Sequence, residues 1–230
     1  MAIYAISDLH LPAGSDKPMD VFGEHWERHF ERICEDWIKR VRDEDIVLLP
    51  GDLSWAMQLE DACQDLDAIK RLPGRKIITR GNHDYWWNSI GRVRDKLGKN
   101  MFALQNDAVV LDEYVFAGTR GWILPTEEVG EDDKRIFSRE VKRLTMSLEH
   151  ARRIAPDKEL ICMLHYPPLT DSMRDTPVTR QISKFGCSHV VYGHLHGSAL
   201  FGAFRGIHDG VTYHQVSCDG LDFKLHIVIE

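Results

Sequence analysis

The first hundred residues alternate between short apolar runs and longer stretches of helical periodicity, and this alternation restricts the possible fold more than any other feature. Three runs indicate buried strands, because they are short, rich in β-branched residues and followed by turn signals: 2–7, 45–50 and 75–80. Two helices are predicted between them, at 24–41 and 58–71. A strand–helix–strand–helix–strand order favours parallel strands joined by right-handed crossovers.

The pattern changes after residue 100, where short apolar runs follow one another with tight connections, as is typical of antiparallel strands. A long helix is predicted at about 133–155. Further strands are predicted at 101–104, 108–112, 114–119, 159–164 and 188–192 and in a β-rich tail, 199–204, 211–217 and 223–229. This order predicts an α/β fold in which two mixed sheets pack together with helices outside. We expect residues 1–230 to form a single domain.

Five of the predicted strands end in polar side chains. These tips are Ser7-Asp8-Leu9-His10, Gly51-Asp52, Gly81-Asn82-His83-Asp84, His165 and Gly193-His194-Leu195-His196. Residues two apart in an extended segment share a face, so Asp8 and His10 can reach one point together, as can His194 and His196. Because ligands of open α/β sheets bind at the carboxyl ends of strands, we expect all five tips to converge on one crevice. The glycines let the backbone turn sharply beside a crowded centre.

The side chains at these tips suit divalent metal ions. Carboxylate, imidazole and amide donors without thiolate favour Mn, Fe, Zn or Ni. Seven such side chains are too many for one tetrahedral ion and about right for two ions that share a bridging carboxylate. The five cysteines are odd in number, widely spaced and without a C-x-x-C pair, which argues against a disulfide framework or a cysteine zinc site.

The series D-x-H, G-D, G-N-H-D, H and G-H-x-H, in this order from Asp8 to His196, resembles the calcineurin-like (binuclear) metallophosphoesterases. The resemblance implies a four-layer α-β-β-α sandwich. It also implies that Asp8, His10 and His196 bind a first metal, that Asn82, His165 and His194 bind a second, and that Asp52 bridges the two. His83 would be a catalytic residue beside the scissile phosphate, with Asp84 orienting it.

The activity implied by the resemblance is metal-dependent hydrolysis of a phosphoester. A hydroxide that bridges two metals would attack phosphorus while the metals neutralise charge on the phosphoryl oxygens, and His83 would protonate the leaving oxygen. We expect a small soluble phosphodiester as substrate. A phosphomonoester remains an alternative, as does a non-catalytic, metal-dependent scaffold that binds a protein partner.

Features of the sequence argue against two subgroups of this family and against one other class of hydrolase. The second motif continues as "GDLSWAM" and lacks the arginine that protein serine/threonine phosphatases carry there. Trp55 stands where purple acid phosphatases have a tyrosine ligand, and their first motif lacks a counterpart of His10. The H-x-H-x-D-H run of metallo-β-lactamases is absent from the sequence.

Charge and hydropathy limit the possible partners and location. The formal net charge is -7 and the pI about 5.9, so no basic track for nucleic acid is evident. The N-terminus has no basic region followed by an apolar run, and no segment reaches the length needed to cross a bilayer. We therefore expect a cytoplasmic protein without a membrane span. The sequence does not determine the oligomeric state.

Some residues near the motifs are ambiguous. Arg120 is equally suited to a substrate phosphate and to an ion pair. Trp86 and Trp87 are able to stack on a substrate, although packing beneath the site is the preferred interpretation. His208 lies in a loop that can approach the site, but we do not count it among the ligands. Segments 11–24 and 119–133 are predicted to be loops around the mouth of the site.

Overall fold

In the computed structural model, which describes residues 1–14 and 19–230, two mixed β-sheets pack face to face between layers of helix. The strands are β1 (Ile3–Ala5), β2 (Ile46–Leu49), β3 (Arg75–Ile78), β4 (Met101–Ala103), β5 (Ala108–Leu111), β6 (Tyr114–Thr119), β7 (Glu159–Leu164), β8 (Cys187–Tyr192), β9 (Gly206–His208), β10 (Val211–Gln215) and β11 (His226–Ile229). The helices are α1 (His29–Arg40), α2 (Leu59–Arg71), α3 (Ile90–Leu97), α4 (Glu131–Ile154) and α5 (Pro177–Lys184). Short 3₁₀ turns occupy Met19–Phe22, Glu24–Trp26, Gly197–Gly202 and Cys218–Leu221.

Each sheet has a parallel centre. The first sheet has the order β11-β1-β2-β3-β4, in which β1 to β4 are parallel and β11 is antiparallel to β1. The second has the order β5-β6-β7-β8-β10-β9, in which β6, β7, β8 and β10 are parallel and the two edge strands are antiparallel. The prediction of an α/β fold with two mixed sheets flanked by helices is confirmed.

The apolar runs of the parallel strands are buried on both faces. In β2, Ile46 and Leu48 belong to the core between the two sheets, whereas Val47 and Leu49 pack with α1 and α2 on the outer face. In the second sheet, the outer face packs against α4 and α5. Since both faces of a central strand are covered, its sequence is continuously apolar and not alternating. The resulting order of layers is α-β-β-α.

The two sheets are joined at the edge where β1 ends. Ser7, just beyond β1, forms a parallel bridge with Ser217, just beyond β10. Its N–H donates to Val216 O (2.8 Å), and its carbonyl accepts from Cys218 N–H (3.1 Å). This seam brings the carboxyl ends of the parallel strands of both sheets to the same place.

Several predicted elements were wrong in pairing or extent. Segment 101–104 is not part of an antiparallel meander: β4 pairs parallel to β3, because α3, which the sequence analysis did not identify, provides a helical crossover. Segment 199–204 lies mostly in the 3₁₀ turn Gly197–Gly202, and not in a strand, since a glycine stands at each end of that turn. The helix predicted at 24–41 begins at His29, because Arg28 has a left-handed backbone (φ 52°) that interrupts it.

Three chain-wide predictions have different outcomes. All five cysteines are free thiols; Cys162, Cys187 and Cys218 are buried, and Cys34 and Cys63 are half-buried. Within the described residues, no helix combines the length and the apolar character that crossing a membrane requires. The single domain over 1–230 stays a prediction.

Candidate metal centre

The seven predicted metal ligands come together at the seam between the sheets. Each follows a strand: Asp8 and His10 follow β1, Asp52 follows β2, Asn82 follows β3, His165 follows β7, and His194 and His196 follow β8. The parallel direction of these strands explains the convergence, because all of them end at the same edge.

Two buried carboxylates lie among the histidines. Oδ1 of Asp8 lies 3.6 Å from Nε2 of His196 and 4.0 Å from Nδ1 of His165. Oδ2 of Asp52 lies 3.9 Å from Nε2 of His10 and 3.5 Å from Nε2 of His165. Two sets of donor atoms are close enough to hold an ion, with all members within 4.8 Å of one another: Asp8, His10 and His196, and Asp8, Asp52 and His165. Asp8 belongs to both sets, whereas Asp52 belongs to the second and lies 3.9 Å from His10 of the first, so its bridging role stays a prediction.

Asn82 completes the second set. Its Oδ1 lies 2.7 Å from Nε2 of His165 and 3.0 Å from Nδ1 of His194. Nδ1 of His165 is hydrogen-bonded to Pro50 O (3.0 Å), so in the neutral ring the Nδ1–H is donated there and Nε2 carries a lone pair. The His165 nitrogen and the Asn82 oxygen therefore direct lone pairs toward one another. Two ligands of one cation adopt this orientation, and two hydrogen-bonding partners do not.

The charges of the centre also fit a cation. Asp8, Asp52 and Asp84 are buried, and in the described part of the chain no lysine or arginine forms an ion pair with any of them. Burial raises the pKa of Asp52 well above its usual value, and the charges of Asp84 and Asp8 raise it further. Burial lowers the pKa of His10 and of His165 to about 3, so both rings are neutral at pH 7. Clustered carboxylates and neutral imidazoles are the donor set that a divalent cation stabilises.

The backbone at four of these ligands is strained. Asp8 (φ 60°), His10 (φ 46°), Asp52 (φ 53°) and His194 (φ 72°) adopt left-handed conformations. Such conformations are unfavourable for residues with a Cβ and persist where the surroundings impose them. Here they turn the side chains inward immediately after each strand.

Two glycines let these turns pass close to the carboxylates. A Cβ built on Gly81 would overlap the carboxylate of Asp52, and one built on Gly193 would overlap Ser7 and the carboxylate of Asp8. No flexible side chain can move aside at either place without displacing a predicted ligand. Glycine is therefore required in the G-N-H-D and G-H-x-H motifs for reasons of space.

Asp84 does not orient His83 in the way the sequence analysis expected. Its buried carboxylate accepts hydrogen bonds from five N–H groups and, within the described residues, none from the His83 ring. The donors are the backbone of Gly81 (2.7 Å), Asp52 (2.9 Å), Leu53 (2.9 Å) and Ser54 (3.3 Å) and the Trp86 indole (3.0 Å). Asp84 thus ties the loop after β2 to the loop after β3, and with them Asp52 to Asn82.

His83 lies at the border of the centre and an open cavity. Its backbone N–H donates to Oδ1 of Asp52 (2.8 Å). The centroid of its imidazole ring lies 4.5 Å from that of the Trp55 ring. Nδ1 of His83 has no hydrogen-bond partner among the described residues, and burial lowers the pKa of the ring. The ring is held by packing, and it faces the space in which a substrate would bind.

The sequence analysis missed Asp219. Its Oδ1 lies 2.9 Å from Nδ1 of His196, and its Oδ2 accepts the N–H of Gly197 (3.0 Å). Because Nδ1 of His196 is used in this way, Nε2 faces Asp8. Burial lowers the pKa of His196, but the hydrogen bonds to Asp219 and Asp8 outweigh it and raise that pKa to about 10. Carboxylates commonly orient metal-binding histidines through this contact.

A cavity of about 430 Å³ opens beside the centre. Five predicted site residues form one side of it: His10, Asp52, His83, His194 and His196. The other walls come largely from Met19, Phe22, His25, Trp26, Trp55, Ser198 and Asp219, of which the sequence analysis did not connect His25, Trp26, Ser198 and Asp219 with the site. Met19 and Phe22 belong to the predicted mouth loop 11–24, of which 15–18 lie outside the described residues.

The ambiguous residues now have positions. Trp86 and Trp87 are fully buried, which confirms the packing interpretation. The Arg120 guanidinium lies over the ring of Trp122 (4.5 Å) and 3.9 Å from the buried Glu140, so the ion-pair alternative describes its contacts. His208 lies near Asp209 and Tyr213, away from the seven ligands.

Comparison with known proteins agrees with this geometry. The sequence profile of the calcineurin-like phosphoesterase family matches residues 1–198. The chain belongs to this family. As a calcineurin-like phosphoesterase, it is a member of a family of metal-dependent hydrolases of phosphoester bonds, and it holds its candidate ligands at the matched strand ends.

Two solved structures resemble this calcineurin-like phosphoesterase. A protein of unknown function, AQ665 from Aquifex aeolicus, has a TM-score of 0.51 at 16% identity, over 98% of this chain and 95% of that one. A novel archaeal phosphodiesterase has a TM-score of 0.45 at 13% identity, over 100% of both chains. The first likeness supports the fold alone, and the second is too distant to support a conclusion. No curated protein has a sequence that matches this chain significantly.

Proposed function

We propose that this protein hydrolyses a small phosphodiester at a centre that holds two divalent metal ions. The observation that carries the proposal is the pair of opposed lone pairs on His165 and Asn82, within a cluster of buried carboxylates that lacks a lysine or arginine counter-charge in the described residues. Asp8, His10 and His196 would hold one ion, and Asn82, His165 and His194 the other, with Asp52 between them. Mn, Fe, Zn or Ni suits these donors.

The bound ions would activate a water molecule and neutralise charge on the phosphoryl oxygens. The protein's own residues position the ligands and supply a proton to the leaving group. Asp84 fixes the loops that carry Asp52 and Asn82, and Asp219 fixes the ring of His196. His83 lines the cavity next to the centre, where its protonated ring can hydrogen-bond the leaving oxygen and give it a proton; because burial lowers the pKa of the ring, this protonated form gains population as the pH falls.

The charge of the cavity favours a diester over a monoester. No lysine or arginine of the described residues lines it. A monoester at neutral pH brings nearly one more negative charge than a diester, and enzymes that bind a terminal phosphate commonly place arginine or lysine against it. The cavity also gives a second ester substituent a place to lie.

The test is hydrolysis by metal-stripped protein of bis(p-nitrophenyl) phosphate and p-nitrophenyl phosphate, with Mn, Zn, Ni or Mg added back and metal content measured in parallel. We expect restored hydrolysis, a higher kcat/KM for the diester and two ions per chain. A higher kcat/KM for the monoester would overturn the diester assignment. Two bound ions without hydrolysis of either ester would overturn the enzymatic proposal and favour the scaffold alternative.

A further inference from the structure

We propose that the cavity beside the metal centre binds an ester substituent of the substrate, and that this substituent is planar, aromatic and uncharged: an aryl ring or the base of a nucleoside. The inference rests on the proposed function and adds the chemical class of one substrate arm.

The position of the cavity makes it a substituent site. His10, Asp52, His83 and His196 line it, so it begins where the candidate ligands end. A phosphoryl group at the centre would direct an ester oxygen past His83 into this space. The volume of about 430 Å³ is within the usual range of about 300–1,000 Å³ for small-molecule sites and exceeds what a methyl or ethyl group fills.

Two tryptophans give the cavity flat, fixed walls. The Trp55 ring stacks on that of His10, with centroids 4.8 Å apart and planes inclined by 22°. Trp26 is buried, and its ring lies 5.7 Å from the His196 ring and 5.1 Å from that of Phe223. Each indole is thus packed against a candidate ligand. Rigid aromatic walls favour a planar partner, since an aromatic pair gains stacking energy beyond the burial of its area.

The described walls of the cavity suit an uncharged substituent better than a second phosphate. The described lining residues include no lysine or arginine, and the carboxylate of Asp219 is used by His196 and Gly197. His25, Ser198 and Asp219 provide a few polar atoms between apolar surfaces. A nucleoside or an aryl group suits this lining, whereas a polyphosphate chain would lie there without a counter-charge.

The rim of the cavity presents apolar surface to solvent. Phe22 is 62% exposed, and it lines the cavity together with the buried Met19. An aromatic substituent would cover this ring, and a methyl group would be too short to reach it.

The experiment compares three phosphonates that share one head group with one nucleoside phosphate. Phenylphosphonate, pentylphosphonate, methylphosphonate and adenosine 5′-monophosphate would be titrated into the metal-loaded protein by calorimetry and tested as inhibitors of diester hydrolysis. We expect phenylphosphonate to bind at least about tenfold more tightly than methylphosphonate. Equal affinities for these two would overturn the inference, and pentylphosphonate as tight as phenylphosphonate would overturn its aromatic part. Stronger binding of the adenosine compound than of phenylphosphonate would identify a nucleoside arm, and weaker binding would identify a simple aryl arm.

Variants locate the effect within the cavity. We expect Trp55→Leu to reduce the phenyl-to-methyl affinity ratio to near one, and Phe22→Ala to reduce it about threefold. The ratio is the informative readout, because damage to His10 or His83 would weaken both phosphonates alike. Ile38→Ala is the matched control, since Ile38 on α1 is 63% exposed and does not line the cavity. An unchanged ratio in both cavity variants would place the selectivity elsewhere and overturn the inference.

Failure of this inference and failure of the proposed function give different results. If esters are hydrolysed but the phenyl-to-methyl ratio is near one, the aromatic site alone is wrong. If no ester is hydrolysed and no phosphonate binds to the metal-loaded protein, the proposed function fails and the inference fails with it.

Discussion

The protein contains two groups of histidines that the structure uses in opposite ways. The first is the candidate metal centre. The second, which we call the histidine row, consists of His189 on β8, His214 on β10 and His226 on β11. Both groups are at least half-buried, and both draw residues from the two sheets. They differ in what their nitrogen atoms face.

In the histidine row, the imidazoles face one another. Nδ1 of His189 lies 2.9 Å from Nε2 of His214, and Nδ1 of His214 lies 2.8 Å from Nε2 of His226. His214 therefore uses both of its nitrogens within the row. Burial lowers the pKa of all three rings, that of His214 to about 3, so the row is a chain of neutral N–H···N hydrogen bonds that crosses from one sheet to the other.

In the metal centre, two rings, those of His165 and His196, have one nitrogen held by a group outside the centre, whereas Nδ1 of His10 has no hydrogen-bond partner among the described residues. Pro50 O accepts from His165, and Asp219 holds His196, so the remaining nitrogens are directed at Asp8, Asp52 and Asn82. The two groups therefore differ in hydrogen bonding although both bring histidines together. At His165 the outside partner fixes the tautomer and leaves a lone pair facing the Asn82 oxygen, whereas His196, whose pKa is raised to about 10, carries a proton on each ring nitrogen at neutral pH.

The largest expected effect comes from removing the shared carboxylate of the centre. We expect Asp52→Asn to lower kcat by more than about 10³-fold, because the amide lacks the charge that holds two cations together. The metal-free variant should be at least as resistant to urea as the wild type, since the substitution removes repulsion between Asp52 and its neighbours Asp84 and Asp8.

The matched control for this change is His214→Asn in the histidine row. It should leave kcat and metal content unchanged while Asp52→Asn loses both. Steady-state kinetics and elemental analysis of the two variants measure this contrast. A folded Asp52→Asn protein with full activity would refute the proposed role of the centre.

A smaller effect is expected at His83, which borders the centre without belonging to either donor set. His83→Gln should lower kcat about 10²-fold, because the leaving oxygen loses its proton donor, and it should leave two ions bound. Activity on an ester whose leaving group needs no proton, such as p-nitrophenolate, should fall less than activity on an alkyl ester. Equal losses on both esters would argue against proton donation, and loss of a metal ion would make His83 a ligand.

The sequence correctly predicted that the seven candidate ligands converge, because each stands directly after an apolar run and parallel strands end at one edge. The predictions from the sequence were wrong or incomplete for Asp84 and Asp219, whose contacts in the fold do not follow from their positions along the chain. Asp84 follows His83 directly and was expected to orient it, but adjacent side chains point apart, and Asp84 binds the loop after β2 instead. Asp219 was missed because it lies 23 residues after His196 and reaches it only across the seam between the sheets. The walls of the cavity depend on loop packing, which the periodicity of a sequence does not encode.

Asp219 offers a way to sharpen the comparison, because it lies 2.9 Å from Nδ1 of His196, whereas the carboxylate beside the histidine row, that of Glu159, lies 4.0 Å from Nε2 of His189. Asp219→Asn should weaken binding of one of the two ions by about 10–100-fold, since the His196 ring loses the acceptor that fixes its tautomer and orientation. Metal affinity measured by competition with a chelating dye tests this, with unfolding by urea as the check on folding. Unchanged affinity for both ions would mean that Asp219 serves only to accept the hydrogen bond from the backbone N–H of Gly197.

The smallest effect concerns the pH dependence of the histidine row. In the unfolded chain, His214 would titrate near 6.5, whereas burial holds its pKa in the folded protein at about 3. As the pH falls, the folded state therefore takes up this proton at a lower pH than the unfolded state does. The contribution of neutral His214 to the stability of the folded state is fully present above about pH 6.5. It is lost as the pH falls toward 3, because the unfolded chain takes up the proton first. The charged groups nearby, Glu159 at His189 and Arg205 and Arg40 at His226, change these pKa values less than burial does.

We therefore expect the free energy of unfolding to fall more steeply between pH 8 and pH 5 in the wild type than in His214→Asn, by about 2 kcal/mol at pH 5. Urea unfolding of both proteins without metal at pH 8, 6.5 and 5 measures the difference. The histidines of the metal centre titrate in both proteins and cancel in this comparison. Parallel pH profiles would show that His214 takes up its proton in the folded state as readily as in the unfolded state. The histidine row would then accommodate a protonated imidazole between the sheets. It would differ from the metal centre only in the hydrogen-bond partners of its nitrogens, and not in its protonation.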